Sequence, residues 1–340
     1  MGHRANYVLI EHSEPQIYHH RGGATAIPEV LLSGFARTRR YVRDLTPCTE
    51  LLSDVWAEGG LLLDADQHRL LFWGGEGIQY EPYLRRAFLP VLRYLWPQWT
   101  VEWAVHGVAD LADHLHIDRA TVLTRETFEE GFRPNPVLSD EELSRYEGEG
   151  NVTIITIKRG DGRVLDYRSS LLPGTMLSVG PPLLDFLLSK GHPIVLPHER
   201  GIRDDAAGGA FFDLTAHEVW VWNPAVLDPR YIEALKQSWT GWRVNGHVDG
   251  LVHQVALSGR DASSIMVPAD EAAADLVKEL TKFATLSNVI VPVMTNDVPE
   301  GADPIEIASG FVATRAEMNS VEEFQQLLHR LFRSALEQRS

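Results

Sequence analysis

Residues 59–73 read GGLLLDADQHRLLFW, and residues 208–222 read GGAFFDLTAHEVWVW. Each opens on two glycines, runs through apolar residues to Asp64 or Asp213, turns, and returns from His68 or His217 to Trp73 or Trp222. Two apolar runs joined by a short polar turn with aspartate at its start are a β-hairpin signal. The matched glycines, aspartate, histidine and tryptophan fall at one constant spacing, so the two stretches read as one hairpin written twice.

The flanks agree. Upstream of the first hairpin, Tyr7–Glu11 and Gln16–His20 read as strands, and a helix is expected from Pro28, where proline suits a first helical turn. Downstream, a helix begins near Glu81-Pro82 and a strand over Trp99–Val105 closes the unit. In the second copy, strands Val152–Lys158 and Arg163–Arg168 flank Gly160-Asp161-Gly162, and a helix runs from Pro181-Pro182 to Gly191. Another helix follows Asp228-Pro229, and Trp242–Val248 is the closing strand. Trp96, Trp99, Val101, Val105 and Gly107 match Trp239, Trp242, Val244, Val248 and Gly250, and Arg21 is paired with Arg168. Six of the nine tryptophans thereby fall into pairs, which so rare a residue does not do by accident. Short turns with singly inserted helices favour mixed or antiparallel sheets over a doubly wound parallel one. The expected fold is α+β: a tandem duplication of a ββαββαβ unit plus a C-terminal helical extension.

The copies occupy residues 1–120 and 151–260. Between them, 121–150 reads as a linker, with eight acidic and three basic side chains plus Pro134 and Pro136. The extension, 261–340, repeats nothing. Its expected elements are a helix over Asp270–Phe283, an edge strand over Val289–Met294, and a last amphipathic helix. That helix opens on a Ser320/Glu323 capping box and aligns Phe324, Leu327, Leu328, Leu331 and Phe332 on one face.

Of the 340 residues, 44% are hydrophobic and 23% charged, enough apolar material for a packed core. With 47 acidic against 31 basic side chains the net charge is −16, which repels phosphate backbones and anionic lipid. Neither nucleic acid nor membrane is therefore expected as a partner. The densest basic run, Arg37, Arg39, Arg40 and Arg43, reads as the solvated face of a helix. Cys48 stands alone, so no intramolecular disulfide and no paired-cysteine zinc motif is possible. The start lacks an apolar signal segment, and the expected location is the bacterial cytoplasm.

Asp64 and Asp213 are candidate acid–base residues, or turn residues bonding their own backbone. His68 and His217 stand beside them, with structural roles favoured. Arg21 and Arg168 suit a carboxylate or phosphate ligand through the two-pronged guanidinium, or an internal ion pair. Asp110 and His114 would share a helix face one turn apart and are the candidate metal residues, although no metal signature results. Two loops precede the matched hairpins. One carries Trp56 and Glu58, the other His198 and Arg203, and loops on a rigid scaffold are where sites are built.

No Walker A, GxGxxG, Gly-x-Ser-x-Gly or HExxH motif is present. The ββα layering resembles that of N-terminal-nucleophile hydrolases, which would imply a nucleophile at the chain start. Met1-Gly2-His3 supplies no Cys, Ser or Thr there, so no catalytic residue carries over. The expected function is that of a cofactor-free binding or regulatory protein, taking a protein or small anionic ligand in a groove between the repeats or on the C-terminal helix. The alternative is a hydrolase or transferase for a small anionic substrate, with Asp64, Asp213, His198 or Glu58 moving protons.

Overall fold

The computed structural model describes residues 3–125, 128, 152–169, 173–190, 206–284, 326 and 329–331. Among them, six strands form a first sheet: β1 (Ala5–Glu11), β2 (Glu14–His20), β3 (Thr46–Cys48), β4 (Gly59–Asp64), β5 (Arg69–Trp73) and β6 (Thr100–Trp103). Their order is β3-β2-β1-β4-β5-β6. Five form a second sheet: β7 (Val152–Lys158), β8 (Val164–Ser169), β9 (Ala206–Asp213), β10 (Glu218–Trp222) and β11 (Arg243–His247), ordered β8-β7-β9-β10-β11. From β2 to β6 the two orders correspond strand for strand. In each, two antiparallel hairpins join through parallel first strands, β1 with β4 and β7 with β9. The closing strand lies parallel to its neighbour, β5 with β6 and β10 with β11. The mixed sheets and the doubled unit are as the sequence reading expects.

The matched residues explain why the copies fold alike. Asp64 Oδ1 accepts the N–H groups of Asp66 and Gln67 at 3.1 and 2.9 Å, and Asp213 Oδ1 accepts those of Thr215 and Ala216 at 2.9 Å each. His68 and His217 follow with φ of 51° and 50°, completing each turn in the left-handed region. Their carbonyls accept Thr100 N–H and Arg243 N–H, both at 2.8 Å, starting the parallel closing strands. Their rings lie against Trp99 and Trp242, 5.5 and 5.1 Å between centroids. Trp96 and Trp239 are buried, and each indole N–H is satisfied by a backbone carbonyl, Leu31 at 2.9 Å and Leu177 at 2.7 Å.

Two sequence assignments are corrected. Helix α1 (Gly23–Leu32) begins five residues before Pro28. Proline offers no N–H to the carbonyl four residues back, and that carbonyl, Ala24 O, instead accepts Gly75 N–H at 2.8 Å. The missing donor is thus replaced from across the sheet, and the helix continues through the proline. Second, Asn6 and Ile154 stand opposite Gly60 and Gly209, and their hairpin partners are His19 and Arg168. Arg168 therefore corresponds to His19, whereas Arg21 falls beyond β2 in an exposed turn.

On the first sheet, Tyr7, Leu9, Leu61, Leu63, Leu70 and Phe72 share the face covered by α1, and α2 (Gly34–Arg43) packs on β1. After α3 (Glu76–Tyr80), α4 (Pro82–Leu95) adds buried Phe88 and Leu92. The opposite face carries Gly60, Leu62 and Asp64 and receives α5 (Val108–His114). Gly60 is obligatory here, since a Cβ would sit 2.0 Å from the Trp73 ring. In the second unit α6 (Pro173–Leu177), α7 (Pro182–Lys190) and α8 (Pro229–Ser238) are followed by α9 (Gly250–Leu257), the counterpart of α5.

The chain divides into two units, one around each sheet, and α10 (Ala269–Ala284) belongs with the first. Glu279 on α10 accepts Gly77 N–H at 2.9 Å. Most of the linker, the 289–294 strand and the Ser320/Glu323 box lie outside the described residues. The last helix is present at Gln326 and at His329–Leu331, with Leu331 buried. Among the described residues no helix is long and apolar enough to cross a membrane.

Candidate functional site

Where β5 and β6 run side by side and α5 crosses back over the sheet, the first unit forms an open cavity of about 610 Å³. That volume lies within the usual range for small-molecule sites. Leu71, Trp103 and Val105 supply its apolar wall, and the remaining lining is polar.

Asp64 lies behind the polar wall and holds His114 in it. Oδ1 closes the hairpin turn, leaving Oδ2 to take His114 Nε2 at 2.9 Å. Both side chains are buried, Asp64 2% and His114 8% exposed. On the other side of the imidazole, Arg69 Nη1 lies 3.3 Å from His114 Nδ1. A guanidinium can only donate, so Nδ1 accepts and Nε2 carries the proton given to Asp64. Arg69 Nε in turn donates to Glu102 Oε2 at 2.7 Å. A continuous line of hydrogen bonds, Asp64–His114–Arg69–Glu102, thus runs from a buried turn to the cavity wall. It follows from the ladder: Arg69 is the cross-strand partner of Asp64, and Glu102 lies beside Leu71 on the same face. Among the described residues, Arg69 Nη2 and Glu102 Oε1 have no hydrogen-bond partner.

α5 supplies the facing wall. Asp110 Oδ2 accepts His106 N–H at 2.7 Å, while Oδ1 has no partner among the described residues. Burial pushes the Asp110 carboxyl above its usual range, against the smaller effects of His106 and Arg119. Asp113 is bound by both prongs of Arg119, which hold its carboxyl below the usual range. His116 lines the cavity with φ of 56°. It caps α5 in the left-handed conformation, with Ile117 N–H on Ala112 O at 2.8 Å and its own N–H on Asp113 O at 3.1 Å.

In the second unit the same places hold other chemistry. Arg69, Leu71 and Glu102 correspond by register to Glu218, Trp220 and Asn245. Asp110 and His114 correspond to His253 and Leu257 when Gly107 is matched with Gly250. The rings of Trp220, His247 and His253 gather there, His247 and His253 with centroids 4.4 Å apart and Trp220 about equidistant from both at 6.1 and 5.9 Å. Burial and the neighbouring His253 push His247 down to about 3.

The sequence candidates divide as follows. Asp110 and His114 line the cavity, and Asp64 lies behind His114, bonded to its ring. Asp213 is an Asx-turn residue whose second oxygen pairs with Lys158 at 3.1 Å. Glu58 pairs with His3 at 3.1 Å. Trp56 is 52% exposed and lies under the Arg4 guanidinium. Arg21 is exposed in its turn, and Arg168 is half-buried on β8. His198 and Arg203 lie outside the described residues. Arg69 and Glu102 were not singled out in the sequence, although the hairpin register alone pairs Arg69 with Asp64. Among the described residues no group of three or more His, Cys, Asp or Glu is placed to hold a metal ion.

A second buried ionisable group lies on the helical face. Glu29 of α1 is 7% exposed, its Oε2 has no hydrogen-bond partner, and burial pushes its carboxyl up to about 8. Glu279 of α10 adds to that shift, and Tyr7 and Tyr41 are its electrostatic neighbours. Cys48 is a half-buried thiol raised by burial.

Compared with protein-family models, curated proteins and solved structures, the chain matches none.

Proposed function

We propose that this chain is a binding protein whose first unit takes a small ligand bearing a carboxylate or similar oxyanion, docked on Arg69. The Asp64–His114–Arg69–Glu102 line carries this reading. A flexible arginine loses side-chain entropy on gripping a ligand, and one already held at Nε and Nη1 has lost most of it beforehand. Its Nη2 N–H groups remain to donate to an oxyanion in a charge-assisted contact.

Binding is favoured over catalysis because His114 has both ring nitrogens engaged, one by Asp64 and one by Arg69. A general base needs a lone pair within reach of the substrate proton. The hydrolase or transferase reading keeps one supporting observation, the buried Asp–His pair at a cavity, and it requires Arg69 to release Nδ1.

Titrating short-chain carboxylates or inorganic phosphate into isotope-labelled protein should move the NMR signals of β5, β6 and α5. Arg69→Gln should abolish those movements while the far-ultraviolet circular dichroism stays unchanged. Equal responses from the parent and the variant would overturn the reading.

A further inference from the structure

We infer that the ligand is a zwitterion, its carboxylate seated on Arg69 and its ammonium on Asp110. This deepens the reading of the cavity given above and rests on it. Charge balance in the cavity favours such a ligand. Glu102 already answers Arg69, and Arg119 answers Asp113 with both prongs. Asp110 makes no ion pair among the described residues, although it lines the same cavity and is half-buried.

A ligand bearing only a carboxylate would bring a further negative charge beside Asp110, whose carboxylate touches no cation among the described residues, and like charges repel. A ligand bearing only an ammonium would leave the Nη2 edge of Arg69 unused. One molecule with both groups satisfies both walls and leaves the net charge unchanged. Burial raises the Asp110 carboxyl by more than His106 and Arg119 lower it, and an ammonium in contact with it would act against that shift. Its contact with His106 N–H caps the start of α5 and uses only Oδ2, so Oδ1 is left for the ligand.

The spacing between the two ligand charges is tested together with their presence. Calorimetric and NMR titrations compare glycine, 4-aminobutyrate and 6-aminohexanoate, each with the carboxylate-only and amine-only molecule of equal chain length. At the best-fitting length the zwitterion should bind at least about tenfold more tightly than either partner, the gain of one good charge-assisted contact. Asp110→Asn keeps an oxygen for His106 N–H, so α5 stays capped. In that variant the advantage over the plain carboxylate should vanish while carboxylate binding persists. A carboxylate-only molecule binding the parent as tightly as its zwitterion would overturn this inference and leave the Arg69 anchor standing. Failure of every carboxylate, zwitterionic or not, to move the cavity signals would overturn both.

Discussion

At the scale of single residues, the cavity shows local stability set against position. His116 holds a conformation that glycine adopts freely and a branched-out side chain resists. If the imidazole served only as a cap, glycine would be the better residue. His116→Gly should therefore raise the unfolding free energy by about 0.5–1 kcal/mol, read from urea denaturation. A loss of stability would show that the ring contributes more to the fold than its conformation costs. Glu29 makes a pH prediction of definite sign. Its carboxyl titrates at about 8 in the folded chain against an ordinary 4.5, so the unfolded chain releases this proton first. Stability attributable to Glu29 is complete below 4.5 and is lost as pH rises through the folded value. Relative to the parent, Glu29→Gln should gain stability progressively from about pH 4.5 to about pH 8 and no further. Parallel stability curves for the two proteins would refute the assignment.

At the scale of elements, legibility followed the range of the interaction. The hairpins and the aspartate turns depend on neighbours a few residues apart, and the repeated stretches displayed them directly. The start of α1 was misread because the group that accommodates Pro28 is the Gly75 N–H, far along the chain. The site was legible in part for the same reason. Asp110 and His114 are one turn apart, yet the partner of His114 is Asp64, separated by 50 positions. Arg69 and Glu102 acquire meaning only once strand register is known. The close seating of Trp73 on Gly60 gives this scale its prediction. Gly60→Ala puts a methyl into the indole and should destabilise the first unit by about 1–3 kcal/mol, seen as a lower thermal midpoint. An unchanged midpoint would mean that β4 and β5 can separate without cost.

For the whole molecule, two units share a strand order while the residues at the cavity differ position by position. Trp220 stands where the first unit has Leu71, and Glu218 where it has Arg69. Binding should therefore show one ligand per chain, counted by native mass spectrometry with 4-aminobutyrate or 6-aminohexanoate. Two equivalent sites would contradict the divergence. The Asp64 and Asp213 turns also bear on how such a chain could change over generations. Asp213 spends its second oxygen on a half-buried lysine, whereas Asp64 spends it on a buried histidine. An inherited substitution that keeps the turn, such as asparagine, removes little from the second copy but cuts the first copy's line to Arg69. Among descendants of this chain, position 213 should drift between aspartate and asparagine, while position 64 should stay fixed for as long as the cavity is used.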